Sequence, residues 1–226
     1  MTVSNTGITS RDLTRVGLFP LPNVVLFPAQ SLSLHVFEAR YRRLIADAIA
    51  NDLVLAIPRL TPGHDAEYYG APPVLQVCGV GKVSEYVRLP DGRYNIVVQG
   101  LGRVRLVEEL RSQSYRMARA EPLPDLEPKD QLTVETLRTE LSKRLQRAAP
   151  HLPSSAADLR KRLESEETAG VVADIVAGTL VENPDDRQAL LEERDPCRRM
   201  SWLIAHLHAL GAKAMGSSVS SAERPN

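Results

Sequence analysis

Between Leu18 and Pro58 the pattern of apolar and polar positions changes period twice, and each change marks an element. Val24, Val25, Leu26 and Phe27 form an apolar run too short for a helix and rich in β-branched and aromatic residues, which predicts extended chain. Prolines at 20, 22 and 28 bound it, as suits a residue with a fixed φ and no N–H. Leu32 and Leu34 alternate with Ser31, Ser33 and His35, the period of a half-buried strand. From Val36 the spacing becomes three and four. Phe37, Tyr41, Leu44, Ile45, Ala48 and Ile49 define the apolar face of a helix, Arg40, Arg42, Arg43 and Asp47 lie opposite, and Asn51 is its expected stop. Leu53 to Ile57 is continuously apolar and predicts a core strand ending at Pro58.

Residues 61–73 (TPGHDAEYYGAPP) carry loop chemistry. Val74–Val77 and Gly79–Arg88 return to strand character, and Leu89-Pro90-Asp91-Gly92-Arg93 is a turn signal, so 80–99 is expected to be a β-hairpin. Gly100 and Gly102 suit a bulge or a barrel corner. Val104, Leu106 and Leu110 continue outward and Tyr115–Glu121 supplies a last strand, giving a small closed or nearly closed barrel. After the connector PLPDLEPKD, which begins at Pro122, the period is helical throughout. Leu137, Leu141, Leu145 and Ala148 form one stripe. Ser155 is placed to cap a short helix bearing Leu159 and Leu163, Thr168 one bearing Val171 to Leu180, and Asn183-Pro184-Asp185-Asp186 is a well-formed helix start. Asp195-Pro196 repeats that start, with Met200, Leu203, Leu207 and Leu210 on one face and Gly211 at the expected stop. The expected division is a tail at 1–12, a β-barrel subdomain at 13–122, a helical subdomain at 123–211 and a disordered tail at 212–226.

Composition adds little to this picture. Lys plus Arg and Asp plus Glu are 28 each, so net charge draws the chain to neither nucleic acid nor anionic membrane. Cys78 and Cys197 stand far apart, the use expected of free thiols in a reducing compartment. No apolar stretch reaches the roughly 18 residues of a membrane span, and the N-terminus has no secretory apolar core, so a cytoplasmic protein without a membrane partner is expected.

The run LFPLPNVVLFP at 18–28 leads into Phe37-Glu38-x-Arg40-Tyr41-Arg42. G-x-G-K-V at 79–83, L-P-D-G-R-Y at 89–94 and G-L-x-R-V-R at 100–105 follow in the first half. A-D-I-V-A at 173–177, R-Q-A-L-L-E at 187–192 and D-x-x-x-R at 195–199 follow in the second. Together they resemble the LON substrate-binding domain, the N-terminal module of ATP-dependent Lon proteases that also occurs in stand-alone bacterial proteins. The loop D-A-E-Y-Y-G-A-P-P is closer to the stand-alone members, which lack ATPase and peptidase domains. The resemblance implies an α+β fold, a PUA-like β-barrel with one early helix followed by a C-terminal helical bundle. It implies a non-catalytic substrate-recognition protein for unfolded or tagged polypeptide clients, linked to proteolysis or quality control. Full-length Lon is a further candidate partner, and a homodimer through the last helix a candidate assembly. PUA-like barrels also suggest an alternative, an RNA-binding module using Arg103, Arg105, Arg111, Arg116 and Arg119, although Glu108, Glu109 and Glu121 break any phosphate track.

Candidate chemistry is sparse. Gly79-Val80-Gly81-Lys82 imitates the end of a P-loop, but Gln76 and Val83 stand where that loop needs Gly and Ser or Thr. Gly100-Leu101-Gly102 opens like a dinucleotide fingerprint that Arg105 ends. Ser142-Lys143 are helix neighbours that do not face each other, and no G-x-S-x-G elbow exists. His35, His64, His151, His206 and His208 have no metal-ligand spacing, so neither metal nor other cofactor is expected. Glu38, Arg40 and Arg43 fit a paired helix face better than a ligand site. Tyr68 and Tyr69 remain the candidate binding residues. They stand in a loop at the rim of an apolar groove expected between barrel and bundle, which would take extended chain by apolar contact and some backbone pairing at a strand edge, and tyrosine favours recognition surfaces.

Overall fold

The computed structural model describes residues 8–63, 70–111, 114–149, 159 and 168–222. They form two compact units, residues 1–124 with 182–194, and residues 125–181 with 195–226.

The first unit is built on strands β1 (Val16–Leu18), β2 (Ser31–Val36), β3 (Leu55–Ile57), β4 (Val77–Arg88), β5 (Tyr94–Leu110) and β6 (Met117–Pro122), with helix α1 (Ala39–Asn51) after β2. The sheet order is β2-β5-β4-β3-β1-β6, and β6 pairs back onto β5. Five strands therefore close a ring, while β2 lies outside it on the first half of β5. β1 and β3 run parallel, and the other pairs are antiparallel.

Two apolar clusters share this sheet. Val16, Leu18, Ala56, Cys78, Val80, Val104, Ala118 and Ala120 belong to one. In the other, Tyr41, Leu44, Ile45 and Ala48 of α1 pack with Leu55, Ile57, Ile96 and Val98. β5 contributes to both, and always through even-numbered residues. The register explains how: Val80 opposes Gly102 but Gly81 opposes Gly100, so Leu101 is an extra residue. A bulge of one residue turns the following side chains to the other face, which moves Val104 and Leu106 into the first cluster. The bend expected at Gly100 and Gly102 is this bulge.

The apolar run Val24–Phe27 has no strand partner among the described residues. Val25, Leu26 and Phe27 are nonetheless buried, because the segment crosses the sheet where glycines leave it bare. A Cβ on Gly79 would lie 1.9 Å from the Leu26 carbonyl oxygen, and one on Gly100 would lie 2.2 Å from that of Phe27. The P-loop imitation at 79–82 thus serves close backbone passage, and β4 continues through Arg88 where a P-loop needs a helix.

α1 begins at Ala39, so Phe37 precedes the helix and is 57% exposed, contrary to the apolar stripe expected of it. Extended Glu38 is the cap position, and its carboxylate accepts from Arg40 Nε at 3.0 Å instead of capping. The helix stops one residue later than expected, at left-handed Asp52 (φ 52°).

In the second unit α2 (Gln131–Ala148) buries Val134, Leu141, Leu145 and Ala148. Asp130 caps it by accepting from the Leu132 and Thr133 N–H groups. α3 (Ala169–Leu180), capped by Thr168, is buried nearly all round, as expected of a helix apolar on every side. The helix expected around Ser155 and Leu163 lies outside the described residues, except that Leu159 is buried. α4 (Pro184–Glu192) groups with the sheet: the Gln188 side-chain amide donates to the Val77 carbonyl at 2.9 Å and Arg187 donates to that of Val25 at 3.0 Å. α5 (Pro196–Ala222) belongs to the second unit and buries Met200, Leu203 and Leu207. Leu210 is 37% exposed, and the helix runs through Gly211 and the expected tail to Ala222, since glycine inside a helix costs only about 1 kcal/mol.

Inside the second unit Arg199 is fully buried. Its two terminal nitrogens donate to the two Asp125 carboxylate oxygens at 2.8 and 2.7 Å, and buried Asp174 lies at 3.5 Å. One cation therefore ties the connector to α3 and α5.

Candidate recognition surface

Beyond the ring, β2, the first half of β5 and the second half of β4 make a three-stranded sheet with two unlike faces. Leu32, Leu34, Ile96, Val98 and Val83 pack toward α1. On the other face Ser33, Val97 and Glu85 stand in one row, and His35, Asn95 and Val87 in the next. These residues line an open depression of about 440 Å³. Val87 in this row is 59% exposed, Tyr86, which pairs with Ile96 and so starts from the opposite face, is 54% exposed, and Phe37, just past β2, is 57% exposed.

Polar contacts hold the sheet side of the depression in place. His35 Nδ1 is 2.7 Å from Asn95 Oδ1, and Arg93 Nη1 is 3.3 Å from His35 Nε2. A guanidinium only donates, so Nε2 accepts and Nδ1 carries the proton to Asn95. The His35 ring also stacks on Phe37, with centroids 6.3 Å apart, which sets the aromatic beside the depression. At the hairpin tip Asp91 accepts from the Arg93 N–H and guanidinium. The backbone bond, then the side chain, hold its carboxyl below the ordinary aspartate range. Arg42 Nη1 donates to the Asp91 carbonyl at 3.3 Å and so joins Arg93 at the tip.

Tyr68 and Tyr69 lie outside the described residues, as does His64. The base of their loop is pinned: Thr61 N–H donates to the Pro73 carbonyl at 3.0 Å and Arg40 Nη1 to that of Gly70 at 3.0 Å. His206 stacks on Trp202 with centroids 4.9 Å apart. Among the described residues no three His, Cys, Asp or Glu side chains gather as a metal would require. No helix among them is long and apolar enough to cross a membrane. Burial raises the pKa of the Cys78 thiol, which keeps it protonated and inert.

Three of the five arginines considered for RNA are committed elsewhere, while Arg105 and Arg111 are exposed. Arg103 is buried, Arg116 pairs with Glu109 and donates to the Pro72 carbonyl, and Arg119 lies near Glu108 and Glu121. Glu38 with Arg40 and Arg43 with Asp47 likewise form pairs along α1. The exposure of Phe37, Tyr86 and Val87 escaped sequence reasoning. Its one available signal was Phe37 at a helix entrance, where it resembled core.

The family model described as the ATP-dependent protease La (LON) substrate-binding domain matches residues 15–209. The chain belongs to that family. Similar LON-type sequences include Lon protease 2 of Myxococcus xanthus, 29% identical over 205 residues that cover 89% of this chain and 24% of that protein. Lon protease of Anaeromyxobacter dehalogenans (strain 2CP-C) gives the same identity and the same coverage of both. The chain thus spans about a quarter of the length of the Lon proteases it matches. Two solved structures share the LON-type fold. The N-terminal domain of the Mycobacterium avium complex Lon protease has a TM-score of 0.66 at 16% identity, covering 86% of this chain and 98% of that one. The Lon N-terminal domain protein from Xanthomonas campestris has a TM-score of 0.56 at 24% identity, covering 85% and 98%. The α+β architecture, barrel first and helices after, is that of Lon N-terminal domains.

Proposed function

We propose that this LON-type domain recognises unfolded or tagged polypeptide by binding alone, and that the outer face of the β2–β5–β4 sheet is where it does so. The observation that carries the reading is the pair of exposed apolar side chains on this face, Phe37 stacked on His35 and Val87 lining the open depression. Both are more than half exposed, Val87 stands in the same cross-strand row as His35 and Asn95, and exposed apolar side chains of this kind are what a surface used for apolar contact retains. His35 and Asn95 provide polar groups beside them, the mixture typical of recognition surfaces. Tyr68 and Tyr69 are proposed to extend the surface from the pinned loop. Full-length Lon is the partner to which a bound client would be passed, and a homodimer through the last helix is the assembly proposed.

The test is titration of the chain with fluorescent, reduced and carboxymethylated lactalbumin, a permanently unfolded polypeptide, and in parallel with a fluorescent single-stranded RNA. Saturable binding to the polypeptide that survives moderate salt is expected. Phe37→Ser combined with Val87→Ser should weaken it about tenfold or more, while thermal stability stays within about 0.5 kcal/mol because both residues are exposed. Unchanged affinity in that variant, or binding only to RNA and only at low salt, sinks the proposal.

A further inference from the structure

We infer that the open edge of β2 takes a polypeptide segment as an added β-strand. The segment would be extended, uncharged over the length of β2, and carry a carboxylate at the end that lies beside Arg93. This deepens the recognition proposed above and rests on it.

Three observations lead there. Among the described residues β2 has a strand neighbour on one side only, β5, while its six residues keep regular pairing from Ser31–Gln99 to Val36–Tyr94. The bond from the Gly100 N–H to the Gln30 carbonyl, at 2.7 Å, sets the phase of that pairing. Even-numbered residues turn their N–H and C=O to β5, and Ser31, Ser33 and His35 turn theirs outward. These outward groups are complementary to an extended backbone, and their spacing selects a strand.

The second observation is what guards each edge. β4 past Gly81 is also without a strand beyond it among the described residues, but Lys82, Glu85 and Arg88 put charges along it and Ser84 is an extra, bulged residue. Those are the usual devices against edge pairing. β2, with the sequence SLSLHV, has no charge, no proline and no bulge along Ser31–Val36. Ser31, Ser33 and His35 are exposed. One edge is protected and the other is left open.

The third is charge. Arg93 reaches His35 at the C-terminal end of β2, and Arg42 and Arg88 stand at the same hairpin tip with Asp91 the one carboxylate of the turn. An acidic residue at that end of the added strand meets excess positive charge. A second copy of β2 brings no carboxylate to this place, which favours a foreign segment over self-pairing.

The probe is a fluorescein-labelled octapeptide of alternating threonine and valine closed by two glutamates, titrated against the whole chain. N-methylation of alternate peptide nitrogens on one edge should weaken binding about tenfold or more, since it deletes several backbone hydrogen bonds. N-methylation on the opposite edge should leave affinity within about twofold. Ser33→Pro removes an outward N–H that β5 does not use, a proline position sheets tolerate. It should fold and lose the peptide. Equal effects of methylation on both edges, or a folded Ser33→Pro chain that binds normally, overturn strand addition. Should Ser33→Pro fail to fold, the methylation pair decides alone. No peptide binding, together with a dimer that Ser33→Pro dissociates, overturns it in favour of self-pairing. Unfolded lactalbumin bound normally by Ser33→Pro but lost with Phe37→Ser and Val87→Ser leaves the recognition surface standing and removes only the strand mode.

Discussion

Tyr115 donates its hydroxyl proton to Asp47 Oδ2 at 3.0 Å, joining the approach to β6 to α1. Burial, then this bond and the carboxylate's charge, raise the tyrosine pKa. A group whose folded pKa is raised gives stability that is fully present below its unfolded value and is lost as pH rises through the folded value. Wild type should therefore exceed Tyr115→Phe by about 1 kcal/mol at neutral pH, and the gap should close above about pH 10. Paired urea melts at pH 7 and in the alkaline range check it; a gap that widens with pH refutes the assignment. Phe37 and Gly79 mark the limit of what single residues disclose in sequence. Phe37 sits at helical spacing from Tyr41, so periodicity alone places it in the core. The partner that explains Gly79 is Leu26, too far along the chain for any local pattern to supply.

Arg199 sets the strength of the second unit at the scale of its elements. Its side chain is fully buried, whereas Asp125 retains 29% exposure. Asp125→Ala would leave the guanidinium buried, with Asp174 at 3.5 Å as the nearby carboxylate that remains among the described residues. Breaking a buried pair from one side costs about 3–5 kcal/mol, and the surviving carboxylate brings the expected loss to about 2–4 kcal/mol, measurable by denaturant titration. Arg199→Met with Asp125→Leu should be far less harmful than Asp125→Ala, because it removes the charge as well as its partner. Helix starts were the most legible elements. Thr168, Asn183 and Asp195 stand before apolar periodicity and accept the N–H bonds that a cap predicts. The hairpin turn at 89–93 was equally legible from Pro-Asp-Gly. Asp130 was missed because it closes an acidic, proline-rich connector, where a cap looks like more of the same. The packing of α4 was illegible for a different reason: its period says helix, but only Gln188 and Arg187 say against what.

At the scale of the molecule, the number of short apolar segments and the two glycines after the hairpin anticipate a closed or nearly closed barrel, but not that β5 serves both apolar clusters. Nor is the interleaving of the two units in sequence anticipated, since composition changes once, at Pro122, while the compact units change three times. Arg187 shows what the returning segment does. Its guanidinium lies 5.4 Å from the centre of the Phe27 ring and bonds the Val25 carbonyl, and burial lowers its pKa. Arg187→Ala should cost about 1–3 kcal/mol, and amide exchange at Leu26 and Phe27 should accelerate more than at α1. Uniform acceleration across the unit would contradict a local clamp.

The position of α4 in the chain also has a temporal consequence. The ribosome delivers every strand of the ring by residue 122, but the helix that covers the crossing segment completes only by residue 192. At about 5–20 residues per second the interval lasts on the order of 4–14 seconds. For that time a nascent chain carries a finished barrel with Val25 to Phe27 still awaiting Arg187, a window in which a chaperone or a protease would meet apolar backbone that the completed protein hides.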